Sequence, residues 1–556
     1  MTFKILSSPH TTKIFISAWL CNIIASIFVI PPHGNDVAEY FLPALGLIYK
    51  SQNGLYYGDF FTTKNYLMPG FSFFQGIFLY ITNFLRIPLN FYTYQLFYMS
   101  LILVLIILSI YLIKLIHYRT KTDYVLHGNI FLILLAISPF AQHCWHLRPE
   151  ILGVVFILSG LIIYRKWELS DKDTNLYFYL SAFFIGLSTT VHINFIIVSG
   201  ILFLTIFLLN IKKLNTWGTL LYIFSAALPL LIVVWWYLMH YPESVDELMS
   251  VITRKMAGNE GAFGNSYGSG VILLIKNALM LTNTMFLMKI FLMIFWLPFL
   301  IVMIAAIILL LKDGRELLNI DRINILMTSL FFASIVVIML DKNGYYWYLM
   351  ITIPFTLLFF SLLLTFKRPL IDEIFSIKDI KSILIIVSIC VFISTNLLLN
   401  LARYSFLSPN YFSVTKTYKV VSENLKSGDN LFLYHKQIGT FIDLFDSLYR
   451  GDANIMVYDI FPQTYLYNKG DRLKYFMKKK IKRVPAEKMI WSVPLFFSQT
   501  LDGKELKFFS ANTEFIYLAS CAIEPITLKF GIKDIIYKDD EYLFFRPSYV
   551  EMIENE

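Results

Sequence analysis

Two short stretches of this chain hold ionisable residues where apolar sequence stops, and both can do acid–base chemistry. The first reads His33-Gly34-Asn35-Asp36-Val37-Ala38-Glu39-Tyr40. Asp36, Glu39 and Tyr40 stand at i, i+3 and i+4, so on a helix they share one face. A carboxylate placed there can take a proton from a hydroxyl, which is the work of a general base. An Asp at a helix start also serves as an N-cap, and it gains from the partial positive charge of the first turn. The second stretch, from His143 to Glu150, holds His143, His146, Arg148, Pro149 and Glu150. Ionisable groups at the edge of an apolar run are costly unless they pair or face a cavity. Arg148 and Glu150 can pair with each other, or Glu150 can serve a site.

Other polar groups fall near these stretches in the topology derived below. They are Lys64 before Pro69-Gly70, His192 with Asn194, Arg254-Lys255, and the run from Asp341 through Lys342 and Tyr345 to Tyr348. Cationic side chains of this kind can hold an anionic leaving group, as phosphate requires. Tyr and Trp in such places also act as interface anchors. The Gly-rich loop Gly258–Gly270 lacks the Lys-Ser/Thr and the preceding strand of a nucleotide phosphate loop. Zincin, nucleophile-elbow and kinase motifs are absent. The cysteines, Cys21, Cys144, Cys390 and Cys521, have no metal-ligand spacing and no disulfide framework. No resident cofactor is expected, and no clear ligand set supports a divalent metal.

The elements that must position these groups are membrane helices. Of 556 residues, 57% are hydrophobic and 15% charged, with a mean hydropathy of +0.63. Soluble domains carry about 25% charged residues, so lipid is the solvent for much of this chain. Spanning runs lie near 14–31, 91–113, 126–142, 150–164, 217–238, 290–311, 323–340, 345–366 and 382–400. The stretch 176–211 is too long for one helix and is expected to turn near His192. About eleven spans result. The first run is followed by Pro31-Pro32 rather than a cleavage site, and reads as a retained helix.

Basic residues set the orientation. Lys4/Lys13, Lys114–Lys121, Arg165-Lys166, Lys212-Lys213, Lys312/Arg315 and Lys367-Arg368 all fall on the cytoplasmic side if the N-terminus is cytoplasmic. That requires 69–85 to lie in the outer interface rather than cross. Spans need roughly 17–25 residues, and this run is at the lower limit. The segment 271–289, with Lys276 and Lys289, is also a candidate for the interface.

The expected fold is therefore mainly α: a polytopic transmembrane bundle over residues 1–400, with outer-face loops 32–90 and 239–289. Residues 401–556 form a soluble domain on the non-cytoplasmic side. Strand-like runs at Asn430–Tyr434 and Asn454–Tyr458 alternate there with helical ones, so its class is α/β. Its basic run Lys474–Arg483 reads as a solvated helix face or a headgroup contact. The formal charge of +9 is explained by cytoplasmic loops, and no nucleic-acid motif is present.

The order of these pieces resembles the GT-C superfold of integral membrane glycosyltransferases, the group of protein O-mannosyltransferases and lipid A aminoarabinose transferases. The resemblance rests on helix one followed by Asp36, Tyr40 and Ala44, on Lys64 with Pro69-Gly70, on Arg148-Pro149-Glu150, and on the Tyr345–Pro354 stretch. It implies a polyprenyl-phosphate-linked sugar donor and a lipid, glycan or protein acceptor at the outer face of the cell membrane. It further implies that Asp36 is the loop-one acid and Glu150 the second acid. Many relatives have two adjacent acids in loop one, whereas Val37 follows Asp36 here. The remaining groups, Glu39, Tyr40, Lys64, His146, Arg148, His192, Arg254, Lys255, Lys342 and Tyr345, are candidates for binding substrate. Two other readings are a secondary transporter or flippase and a surface-glycan polymerase or ligase. A transporter places acids near the bilayer midplane, often in two related halves. Here the spanning runs are nearly free of acids and show no convincing repeat.

Overall fold

The computed structural model of the protein describes residues 9–27, 69–87, 91–118, 123–138, 140, 149–170, 175–240, 286–340 and 349–366. It also describes six strand segments between 430 and 553. Among these residues the chain forms eleven α-helices. They are α1 (Pro9–Ile27), α2 (Gly70–Phe84), α3 (Phe91–Ile116), α4 (Asp123–Ile137), α5 (Glu150–Leu169) and α6 (Asn175–Thr189). After these come α7 (Phe195–Asn210), α8 (Thr216–His240), α9 (Phe286–Ile320), α10 (Arg322–Leu340) and α11 (Leu349–Phe366). In lipid the backbone must satisfy its own polar groups, and the helix does this within one segment.

Among the described residues, three stretches are long and apolar enough to cross a membrane: Leu96–Ile116, Phe195–Lys213 and Thr216–Trp235. The run 176–211 is two helices that turn at 190–194. The run 69–85 is a helix of 15 residues, about 22 Å long and shorter than the ~30 Å hydrocarbon layer. Pro229 and Pro354 sit inside α8 and α11. Membrane helices tolerate proline because neighbours take up the freed carbonyl. The expected runs at 271–285 and 382–400 and the basic run Lys474–Arg483 lie outside the described residues.

One helix differs from expectation. The apolar run ends at Lys312, but α9, 35 residues long in all, continues to Ile320. Lys, Arg, Glu and Leu are strong helix formers, so the helix runs on through Lys312–Ile320 and stops only at Asp321.

Among the described residues the helices share one large buried core, with a small second cluster at Leu126 and Ile130. Helix α6 packs between α5 and α8; α3 packs on α5, α7 on α10, and α11 on α4, α9 and α10. Small residues allow these close approaches. At Gly186 of α6, a Cβ would collide with the backbone of Ala226 in α8; at Gly160 of α5 it would collide with Ile185. Tyr222 of α8 stacks on both Phe203 and Phe178, with ring centroids at 4.5 and 4.6 Å.

Polar links join the helices at few places. His127 lies on α4, and its Nε2 is 3.3 Å from the Leu358 carbonyl of α11. A carbonyl only accepts, so that nitrogen carries the proton. Nδ1 of His127 then accepts from His117 Nε2 at 3.0 Å. These two rings tie the end of α3 to α4 and α11.

The described C-terminal strands are β1 (Asn430–Leu433), β2 (Met456–Asp459), β3 (Met489–Pro494), β4 (Glu505–Phe508), β5 (Ile526–Lys538) and β6 (Tyr542–Ile553). They form one mixed sheet in the order β2-β1-β3-β6-β5-β4. Strands β2, β1 and β3 are parallel, and β6, β5 and β4 continue the sheet antiparallel. Parallel neighbours need long crossover connections. Phe544 of β6 is wholly buried and belongs to the same core cluster as the helices.

The far end of α5 is held by charge. Arg165 is buried and forks onto Asp321, with Nη1–Oδ1 at 2.9 Å and Nη2–Oδ2 at 2.5 Å. It also reaches Glu168 at 2.5 Å and donates from Nε to the Leu115 carbonyl at 3.4 Å. One guanidinium thus joins α3, α5 and the α9–α10 turn. Asp321→Ala leaves that cation with Glu168 and the Leu115 carbonyl alone. Hydrogen bonds to charged groups contribute about 1.5–3 kcal/mol, and Asp321 is 28% exposed, so the low end of that range applies. Thermal unfolding in detergent is expected to show a clear loss of stability, whereas exposed Lys212→Ala stays within about 0.5 kcal/mol of the parent.

Candidate active site

At the opposite end of α5, about 22 Å from Arg165 by helix rise, three elements meet: the start of α5, the turn 190–194 and the start of α2. Pro149 precedes α5 in helical geometry, with φ −67° and ψ −22°. Its missing N–H is one that a helix start cannot use. Its carbonyl accepts from Leu152 N–H at 3.0 Å. Glu150 is therefore locked into the first turn, where the helix dipole favours a carboxylate. Its side chain has no exposed surface.

The turn facing it is tied by its own hydroxyls. Ser188, Thr189 and Thr190 donate to the carbonyls of Ile185, Gly186 and Leu187, each at 2.7 Å. Ser188 also meets Ser199 of α7 at 2.6 Å, and Ser199 shares the Ile185 carbonyl at 3.0 Å. Last-turn carbonyls left open at the end of α6 are thus satisfied. Phe195 N–H then bonds the His192 carbonyl at 3.0 Å and opens α7.

His192 is the residue this turn presents. Asn194 N–H donates to His192 Nδ1 at 3.2 Å, so Nδ1 accepts and the proton sits on Nε2. That Nε2 lies 3.9 Å from Glu150 Oε1. That distance suits an electrostatic contact and is too long for a direct hydrogen bond. His192 is itself only 9% exposed.

The start of α2 closes the third side. Gly70 N–H donates to the Thr190 carbonyl at 2.8 Å. A Cβ at Gly70 would lie 2.6 Å from that same oxygen, so only glycine permits the approach. Gly153 plays a similar part on α5, because a Cβ there would enter the ring of Phe195. One turn further along, Phe74 of α2 packs on Phe156 of α5 with centroids at 5.0 Å.

Of the residues singled out in the sequence, Glu150 and His192 are brought together, with Pro69-Gly70 and Asn194 beside them. Asp36, Glu39, Tyr40, Lys64, His146, Arg148, Arg254, Lys255, Lys342 and Tyr345 lie outside the described residues. The sequence marks His192 as a candidate for binding substrate; the structure sets it 3.9 Å from Glu150. The Gly70–Thr190 and Gly153–Phe195 contacts have no counterpart among the sequence expectations. The run Ser188-Thr189-Thr190 before His192 is the available signal, since three hydroxyls at a helix end often close a turn.

No protein family model matches the sequence, and no curated protein matches it. Solved structures do. The chain aligns over 97% of its length with 98% of ArnT from Cupriavidus metallidurans bound to undecaprenyl phosphate, at a TM-score of 0.61 and 10% identity. The same protein in its apo state aligns over 96% of this chain and 97% of its own, at a TM-score of 0.56 and 9% identity. An oligosaccharyltransferase from Archaeoglobus fulgidus in the apo form aligns over 87% of this chain and 70% of its own, at a TM-score of 0.45 and 12% identity. The fold is the GT-C architecture that the sequence resembles.

The glycine contact is open to test by hydrogen exchange. Gly70→Ala is expected to speed amide exchange across 70–84, because α2 loses its seat on Thr190. Exchange in α5 is expected to stay at the parent rate, since Gly153 and Phe195 still hold it.

Proposed function

We propose that the protein is a membrane glycosyltransferase that moves a sugar from a polyprenyl-phosphate-linked donor to a lipid, glycan or protein acceptor. The observation that carries this reading is the shared fold, nearly end to end, with a protein whose structure holds undecaprenyl phosphate. Its weight is increased by the buried acid Glu150, which the GT-C resemblance marks as the second acid and which a positioned His192 faces. In this reading the chain crosses the membrane about eleven times with its N-terminus cytoplasmic. Residues 401–556, the loops 32–90 and 239–289 and the Glu150 end of α5 then share the outer face.

The chemistry is set by the needs of group transfer. The acceptor hydroxyl must lose a proton as its oxygen attacks the anomeric carbon. Asp36 takes that proton as general base, a role that contributes about 10²–10⁴-fold. The new C–O bond forms as the bond from the anomeric carbon to the phosphate oxygen breaks. The polyprenyl phosphate leaves with the electron pair, and a single displacement inverts the configuration. Cationic side chains stabilise the charge on that phosphate; Lys64, Arg148, Arg254, Lys255 and Lys342 are the candidates. Glu39, Tyr40, His146 and Tyr345 line the substrates. Glu150, held by its helix start and by His192, orients the reacting groups.

Mass spectrometry of surface glycans, lipids and proteins from cells with and without the chain identifies the transferred sugar. With that donor in proteoliposomes, Asp36→Asn is expected to lower transfer at least ~100-fold, the lower end of the general-base range. Near-parent transfer by this variant rules Asp36 out as the base. Glu150→Gln is expected to lose transfer while the protein still inserts and melts as the parent does. Failure to insert instead makes Glu150 a structural group only.

A further inference from the structure

Helix α2 is built inside out. Its exposed side is apolar: Phe73, Ile77, Tyr80, Ile81 and Phe84 are 40–78% exposed. Its buried side carries Ser72, Gln75, Gly76 and Thr82 beside Phe71 and Leu79. In lipid an apolar outward face is ordinary, and the polar side chains turned inward must find partners there.

Gln75 is the residue that this arrangement leaves unexplained. It has no exposed surface, and among the described residues neither its Oε1 nor its Nε2 has a hydrogen-bond partner. Thr82, by contrast, satisfies itself on the Leu79 carbonyl at 2.8 Å. A buried amide without partners costs about 1–3 kcal/mol by the measure of protein mutants. On the same flank, Phe71 and Phe78 pack on Phe97 of α3.

Both the donor and the acceptor of this amide are open, and that restricts what can satisfy it. A polyprenyl tail offers neither. A phosphate accepts from Nε2 and leaves Oε1 orphaned. A sugar hydroxyl donates and accepts, so one or two vicinal hydroxyls satisfy both atoms. A lipid-linked sugar also matches the two sides of α2, with an apolar tail for the outer face and a hydroxylated head for the inner one. Gln75 lies about 7.5 Å along the helix from Gly70, whose N–H is bonded to Thr190, two residues before His192. That separation is of the order of a single sugar.

We propose that Gln75 binds hydroxyls of the donor's glycosyl group, so that the inward face of α2 reads the sugar while its outward face meets the prenyl chain. This rests on the proposed glycosyltransferase reading. Gln75 is closed off in this structure, so α2 must shift from its neighbours to admit the head group. Its Gly70–Thr190 bond supplies the hinge for that movement.

The test compares full-length parent and Gln75→Leu in nanodiscs, by native mass spectrometry. The probes are undecaprenyl phosphate and its glucosyl, mannosyl, galactosyl and arabinosyl esters. The parent is expected to hold at least one ester more tightly than bare undecaprenyl phosphate. Gln75→Leu is expected to weaken that ester about tenfold, the effect of one lost hydrogen bond to a sugar. It is expected to leave bare undecaprenyl phosphate unchanged and the melting temperature equal or higher. Equal affinity of parent and variant for every ester overturns the assignment, as does an equal loss for the bare lipid, or a parent with no preference for any ester. A parent that binds no undecaprenyl phosphate at all overturns the underlying glycosyltransferase reading instead.

Discussion

A helical bundle solvated by lipid can keep charge only where it is paired or at the ends of its helices, and α5 obeys this constraint along its whole length. Its ionisable residues are Glu150 at one end and Arg165, Lys166 and Glu168 at the other. Between them lies an apolar stretch with small residues where neighbours press close. The cationic end is locked by Asp321 and Glu168 into a fixed joint. The acidic end sets Glu150 within 3.9 Å of His192. The two ends therefore differ in kind. One holds helices together, and the other sets a buried carboxylate beside a histidine.

That asymmetry links fold to chemistry. A general acid–base site must be rigid, because a small misplacement of a reacting group costs a large factor in rate. Here rigidity comes from backbone and hydroxyl contacts rather than from salt bridges. The turn 190–194 bonds its own carbonyls, accepts Gly70 and orients His192, while Phe195 presses on Gly153. Each contact fixes the start of an element, and helix starts are where polar groups can reach out of the bundle. Aromatic stacking around Tyr222 braces α6 and α8 behind the turn.

Much of the architecture is legible along the chain. The length of the run 176–211 requires two helices, and the turn falls at 190–194. The strands near 430 and 456 are visible from their residue types. A continuous α9 past Lys312 is not, because hydropathy marks where lipid ends and says nothing of where a helix ends. The inward polar face of α2 is equally hidden: its sequence reads as uniformly apolar until burial separates Gln75 and Thr82 from Phe73 and Tyr80.

By itself the sequence determined the solvent, the helices that solvent demands, and the acids that stand at their ends. Those depend on composition and local spacing, which one chain segment carries alone. Only the tertiary structure decided that Glu150 faces His192, that Gly70 must be a glycine, and that Gln75 is buried without a partner. Each of these is a meeting between residues dozens of positions apart or more, or a face chosen by packing. No local pattern encodes the distance between two helix ends.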